Sequence, residues 1–196
     1  MPAHLITVAA SKGGAGKSTT AVCLAWRLAL LHGPANVRLL DLDPQATAAS
    51  WLPDLAVSTR ATDSGTIRQL SDRQFTVCDV PPGESRALAA ALEEADLLLG
   101  VTALDPGDLK ALGQLINLVD LDLLLPTRLD ARRSVHADSL RRLHSRFGRI
   151  LCEPIPEAAE IGWAHAEGRP LRSGSRPALA YAELANRVLA ALSVGA

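Results

Sequence analysis

Residues 5–31 leave little choice of fold. Leu5-Ile-Thr-Val-Ala-Ala10 is an apolar run of strand length, SKGGAGKST follows from Ser11 to Thr19, and Lys17 to Leu31 repeats apolar residues at helical spacing with no internal Gly or Pro. Gly13, Gly14 and Gly16 reach backbone angles that side chains forbid, so successive N–H groups can turn inward on a polyphosphate. Strand, glycine loop and helix in that order read as an anion cradle built from Gly13, Gly14, Ala15, Gly16, Lys17, Ser18 and Thr19. The helix N-terminus adds partial positive charge beneath it. Lys17 is expected to reach the β- and γ-phosphates, Ser18 to place its hydroxyl on Mg²⁺, and Thr19 to donate to phosphate. The strict pattern G-x-x-x-x-G-K-[ST] would set glycine at position 11; here Ser11 stands there, followed by an additional lysine, Lys12.

Two further strand-like runs end in acids. Val37-Arg-Leu-Leu-Asp-Leu-Asp43 delivers Asp41 and Asp43 before Pro44-Gln45 breaks it, and Phe75-Thr-Val-Cys-Asp79 runs into the turn Val80-Pro81-Pro82-Gly83. In an open parallel sheet, ligands collect at the carboxyl ends of the strands, so the loop, Asp41, Asp43 and Asp79 are expected to converge. Asp79 is the natural partner of Mg²⁺. Taken singly, Asp41 is equally readable as a loop carboxylate or helix cap, Asp79 in its turn context much less so; the joint placement makes a site.

The 196 residues, 48% of them apolar, suit one compact α/β domain over 1–196. A formal charge of −1 advertises no global affinity for nucleic acid, so any such binding must come from a local patch. Cys23, Cys78 and Cys152 form no C-x-x-C pair and sit in apolar stretches, which argues for reduced thiols rather than disulfides or metal ligands. No export segment and no apolar run of membrane-spanning length is present, and a cytoplasmic protein is expected.

Beyond residue 80 the pattern alternates: helix over 85–95, strand over 97–101, helix over 108–119, strand over 121–125, helix over 134–147, strand over 150–152, then two C-terminal helices. Alternation predicts a doubly wound, mostly parallel sheet with helices on both faces. The segment 128–149 carries Arg128, Arg132, Arg133, Arg141, Arg142, Arg146 and Arg149 against only Asp130 and Asp138. Arginines pair with phosphates regardless of base, and aromatic residues for stacking on single strands are scarce, so nonspecific duplex DNA is the expected partner. Arg128, Arg132, Arg133, Arg141 and Arg142 are its candidates, and a merely solvated helix face is the bland reading. His136 and His144 read as surface histidines, Trp51 and Trp163 as packing anchors.

SKGGAGKST, DLDPQ and CDVPPG resemble the deviant phosphate motif and the two switches of the ParA/MinD family of P-loop ATPases. ADLLLGVT at 95–102, DARR at 130–133, Ile155-Pro156 and AHAEGRPL at 164–171 extend the resemblance over nearly the whole chain. The resemblance implies ATP and Mg²⁺ as cofactors and an ATP-dependent homodimer in which Lys12 contacts the nucleotide of the opposite subunit. Asp43 would then position the attacking water, or assist Mg²⁺ through a water, with Asp41 able to exchange that role. Thr127 and Pro156 join the nucleotide-binding set by the same resemblance, Thr127 standing where relatives often place an adenine-reading asparagine. With the first strand at Leu5 no N-terminal helix-turn-helix domain is expected, as in small ParA proteins. The implied function is plasmid or chromosome partitioning on nucleoid DNA with a ParB-like centromere-binding protein. The alternatives are a related ATPase that positions protein cargo and an ATP-dependent ligase of the cobyrinate or dethiobiotin synthetase kind. The last apolar helix has Arg187 as its single basic residue, which reads as core packing and not as the membrane anchor of MinD relatives.

Overall fold

Apolar strands too short to span a domain must lie side by side, and helical connections between them enforce parallel pairing. The computed structural model describes residues 3–10, 12–52, 54, 56–58, 67–70, 73–81 and 86–194. Its strands are β1 (His4–Ala9), β2 (Val37–Asp41), β3 (Ala56–Ser58), β4 (Phe75–Asp79), β5 (Leu97–Thr102) and β6 (Leu123–Pro126). They form one sheet in the order β3-β2-β4-β1-β5-β6, every pair parallel. The helices are α1 (Lys17–His32), α2 (Thr47–Trp51), α3 (Arg86–Glu93), α4 (Pro106–Leu115), α5 (Ser134–Phe147), α6 (Ala159–Ala166) and α7 (Arg176–Val194).

Strand side chains alternate between two separate cores. Ile6, Val8, Leu39, Val77, Leu99 and Leu125 face one layer with α1 and α7, while Leu5, Ala9, Leu40 and Cys78 face the other with Ala91 of α3 and Leu115 of α4. Leu124 joins Leu104, Leu112 and Leu143 in a third cluster under α4 and α5. Burial on both faces explains why these strands read as continuous apolar runs. Gly100 lies on β5 because a Cβ there would come within 2.5 Å of Leu121 Cδ1.

Three elements depart from the sequence reading. The run 150–152 makes an isolated bridge, Leu124 to Leu151, because Ile150 and Leu151 already give their N–H groups to the Phe147 carbonyl at the end of α5. β3 and α2, three and five residues long, are too short for periodicity to register. Trp51 is an anchor as expected, 2% exposed with Nε1 donating to the Arg169 carbonyl, whereas Trp163 is 57% exposed. His136 is also not at the surface: it is buried, and its Nδ1 accepts the Asp130 N–H at 3.0 Å. Its place on the inner face of α5, and a neighbouring backbone donor, account for the difference. α7 buries Tyr181, Leu184, Ala185 and Val188 against the sheet, as a core-packing helix should.

Candidate nucleotide site

The loop after β1 turns on two glycines, Gly14 at φ +81° and Gly16 at φ +90°, and α1 begins at the next residue. No Cβ at Gly13 or Gly14 would meet anything within 4 Å, so the loop faces open space on the side a phosphate would take. Thr127, just past β6, clamps the loop from beneath: its hydroxyl donates to the Ala15 carbonyl at 2.6 Å. Ile155 N–H donates to the Pro126 carbonyl and Glu157 N–H to that of Leu129, which sets Pro156 beside the Thr127 turn. Ser11, Pro82 and Gly83 lie outside the described residues.

β1, β2 and β4 are neighbours, with Val8 opposite Asp79 and Asp79 opposite Asp41. Both acids are fully buried at the carboxyl end of the sheet. Lys17 Nζ lies 2.9 Å from Asp79 Oδ1, and the ammonium is buried too. Burial raises the Asp79 pKa; Lys17 and the Ser18 hydroxyl pull it back, and Asp41 pushes it up again. Oδ2 of Asp79 is buried and, among the described residues, has no hydrogen-bond partner. Asp41, by contrast, is fully engaged, Oδ1 accepting the Asp43 N–H and Oδ2 the Ala49 N–H. It ties the DLDPQ segment and α2 to the sheet. Asp43 is half-buried and, among the described residues, accepts only the Gln45 N–H, on Oδ1.

Lys12 reaches sideways, to Asp108 in the first turn of α4 at 2.9 Å, with half of its side chain exposed. The two line a polar cavity of about 200 Å³ together with Gly13, Asp105, Arg128 and Arg133. Arg128 adopts φ +56°, uncommon for a residue with a side chain, and reaches the Gly14 carbonyl and Glu157. The structure thus divides the arginine cluster. Arg128 and Arg133 belong to the rim of the phosphate loop, while Arg141 and Arg142 project from α5 with Asp138. Arg132 is held by Asp130, Arg133 by Asp105 and Arg141 by Asp138. Sequence reasoning passed over Asp108 and Thr127's clamp: an acid in a helix's first turn signals a helix start and says nothing of its tertiary partner.

The residues fit a magnesium nucleotide. The loop is open toward solvent, Asp79 interacts with the Ser18 hydroxyl and keeps one oxygen unpartnered among the described residues, and Lys17 lies 2.9 Å from its other oxygen. Among the described residues no group of three His, Cys, Asp or Glu could hold a metal ion.

Such a fold and site define a P-loop nucleotide-binding protein. Residues 6–171 match the CobQ/CobB/MinD/ParA nucleotide binding domain, and the chain belongs to that family. It is 35% identical over 143 residues to Maintenance of carboxysome distribution protein A of Gloeobacter kilaueensis, across 66% of this chain and 65% of that protein. It is 34% identical over 105 residues to Protein ParA of Rhizobium radiobacter, across 48% of this chain and 46% of that one. The chain therefore spans less than two thirds of the length of either relative. Its fold is that of the septum site-determining protein MinD complexed with Mg-ADP from Pyrococcus horikoshii, with a TM-score of 0.77, 18% identity and 98% of each chain covered. Among the described residues no helix is long and apolar enough to cross a membrane.

Proposed function

We propose that the protein is a ParA-type ATPase that binds Mg-ATP, dimerises around it, holds nonspecific DNA and partitions DNA with a ParB-like partner. The observation that carries this reading is the buried Lys17–Asp79 pair beneath an open glycine loop, with one oxygen of Asp79 unpartnered. Lys17 would exchange Asp79 for phosphate oxygens, which releases both carboxylate oxygens of Asp79, beside Ser18, for Mg²⁺. The ion would neutralise phosphate charge and align the transferring group. Asp41 is spent on the backbone, which leaves Asp43 as the carboxylate for positioning water. Lys12 would leave Asp108 to serve the opposite subunit, supplying a cation only on dimerisation. The DNA part rests on Arg141 and Arg142, exposed on α5.

A second reading, a positioning ATPase for protein cargo, draws on two observations: the likeness to the carboxysome distribution protein and the intramolecular carboxylate partners of Arg132, Arg133 and Arg141. DNA retention and ATPase rate, each measured with ATP and ADP and with and without a neighbouring gene product, separate the two. Retention with ATP alone, and hydrolysis stimulated by the partner, support partitioning. ATP-independent retention rejects it, and stimulated hydrolysis without any DNA retention favours protein cargo.

A further inference from the structure

Two successive carbonyls of the phosphate loop are held by two successive residues of one turn. Thr127, just past β6, donates its hydroxyl to the Ala15 carbonyl at 2.6 Å, and Arg128 donates from Nη1 to the Gly14 carbonyl at 3.4 Å. Both neighbours of Arg128 are fixed to other strands and segments of the sheet end: the Thr127 N–H donates to the Thr102 carbonyl of β5, and the Leu129 N–H to that of Ile155. Between them Arg128 takes φ +56°, which any residue with a Cβ adopts only at a cost. Its guanidinium is steadied by Glu157, whose Oε2 accepts from Nε at 3.2 Å and whose own N–H is bound to the Leu129 carbonyl.

A peptide unit is planar and trans, so its N–H points opposite to its C=O. Holding the Gly14 and Ala15 carbonyls on the Thr127–Arg128 turn therefore directs the Ala15 and Gly16 N–H groups away from that turn, as an anion-binding loop requires. A cation on the Gly14 carbonyl also polarises that peptide and makes the Ala15 N–H a stronger donor. We propose that Arg128 is a positioning residue of the nucleotide site, orienting and polarising the Gly14–Ala15 peptide for a polyphosphate, and not one of the arginines that hold DNA. It acts through the loop and need not touch the nucleotide. The proposal rests on the reading of this loop as a nucleotide cradle.

Glycine takes a positive φ without strain, so Arg128→Gly removes the guanidinium and leaves the turn in place, and the urea midpoint should not fall. Binding of Mg-ADP, followed by calorimetry, should weaken about fivefold, and the KM for ATP should rise by more than kcat falls. Arg128→Lys keeps the charge and should recover part of the affinity, whereas Glu157→Gln, which loosens the guanidinium, should cost about twofold. DNA retention at saturating ATP should keep its salt slope in each variant. An unchanged Mg-ADP affinity in Arg128→Gly overturns the proposal, and so does a loss matched by a lower urea midpoint, which would make the residue merely structural. A smaller DNA salt slope with unaltered Mg-ADP affinity overturns it in favour of a DNA contact. Absence of Mg-ADP binding in the unaltered protein would remove the nucleotide reading itself, and this role with it.

Discussion

Lys17 and Asp79 are paired in the protein's interior, and the pair is unequal. Burial raises the Asp79 pKa despite the ammonium beside it. Its raised pKa makes the contribution to stability fullest below the ordinary carboxylate range, and that contribution falls as pH rises from there to the raised value. Asp79→Asn leaves the buried Lys17 ammonium without its counter-ion and should cost about 3–5 kcal/mol in urea unfolding while abolishing Mg²⁺-dependent nucleotide binding. Lys17→Ala strands a buried carboxylate and should cost about 3–5 kcal/mol in urea unfolding, with ATP binding lost as well. Adding Asp79→Asn to Lys17→Ala should restore most of that loss. Asp130 behaves oppositely, because Arg132, through its side chain first and its own N–H second, lowers the carboxyl to about 2. The stabilisation is present above the ordinary carboxylate pKa and is lost as pH falls from there through about 2. In a carboxyl NMR titration, Arg132→Ala should return Asp130 toward about 4.

At the scale of elements, α4 holds Lys12 through Asp108 and thereby sets which way the additional lysine points. The pair is half exposed on the lysine side, so it is worth roughly 0–1 kcal/mol and acts as a weak tether. If Lys12 serves across a dimer interface, Asp108→Asn should strengthen ATP-dependent dimerisation by no more than about fivefold in sedimentation equilibrium. Lys12→Ala should keep nucleotide binding, stay monomeric with ATP and lose hydrolysis; a normal ATP-dependent dimer in that variant would reject the trans role. Asp43→Ala should hydrolyse slowly and accumulate the dimer with ATP. Within the sheet, Gly100→Ala pushes a Cβ against Leu121, whose terminal methyl can rotate away only in part. A loss of about 1 kcal/mol in urea unfolding is expected.

For the molecule as a whole, the proposed coupling of nucleotide to DNA needs two copies of one surface. A dimer would bring two α5 faces together, and their effective concentration would make DNA affinity depend on ATP although no α5 arginine need touch it. Arg132 and Arg133 already hold carboxylates, and Arg133 borders the phosphate loop. The double variant Arg141→Ala/Arg142→Ala should therefore weaken ATP-dependent DNA binding alike for all sequences and lower the salt slope by about one to two. Arg132→Ala/Arg133→Ala should change the slope less. Unchanged affinity and slope in both would reject the patch and leave protein cargo as the function.

Strand, glycine loop and helix at 5–31 were legible because each is local: periodicity, glycine conformation and helix spacing act within a few residues. The ends of β4 and α5 were equally plain, since Asp79 precedes prolines and Phe147 precedes Gly148. The convergence of Lys17 and Asp79 was also readable, through motif and strand end, and the two lie 2.9 Å apart. Which acid is spoken for was not: Asp41 and Asp43 are two residues apart, and only the fold of α2 back over β2 brings the Ala49 N–H to Asp41. Likewise the arginines of 128–149 form one group in sequence. The turn at Arg128 and the inward face of α5 at His136 divide them between the phosphate loop and the outer surface. Local chemistry determines which groups a segment offers; the partners of a charge come from segments distant in the chain, and tertiary packing alone assigns them.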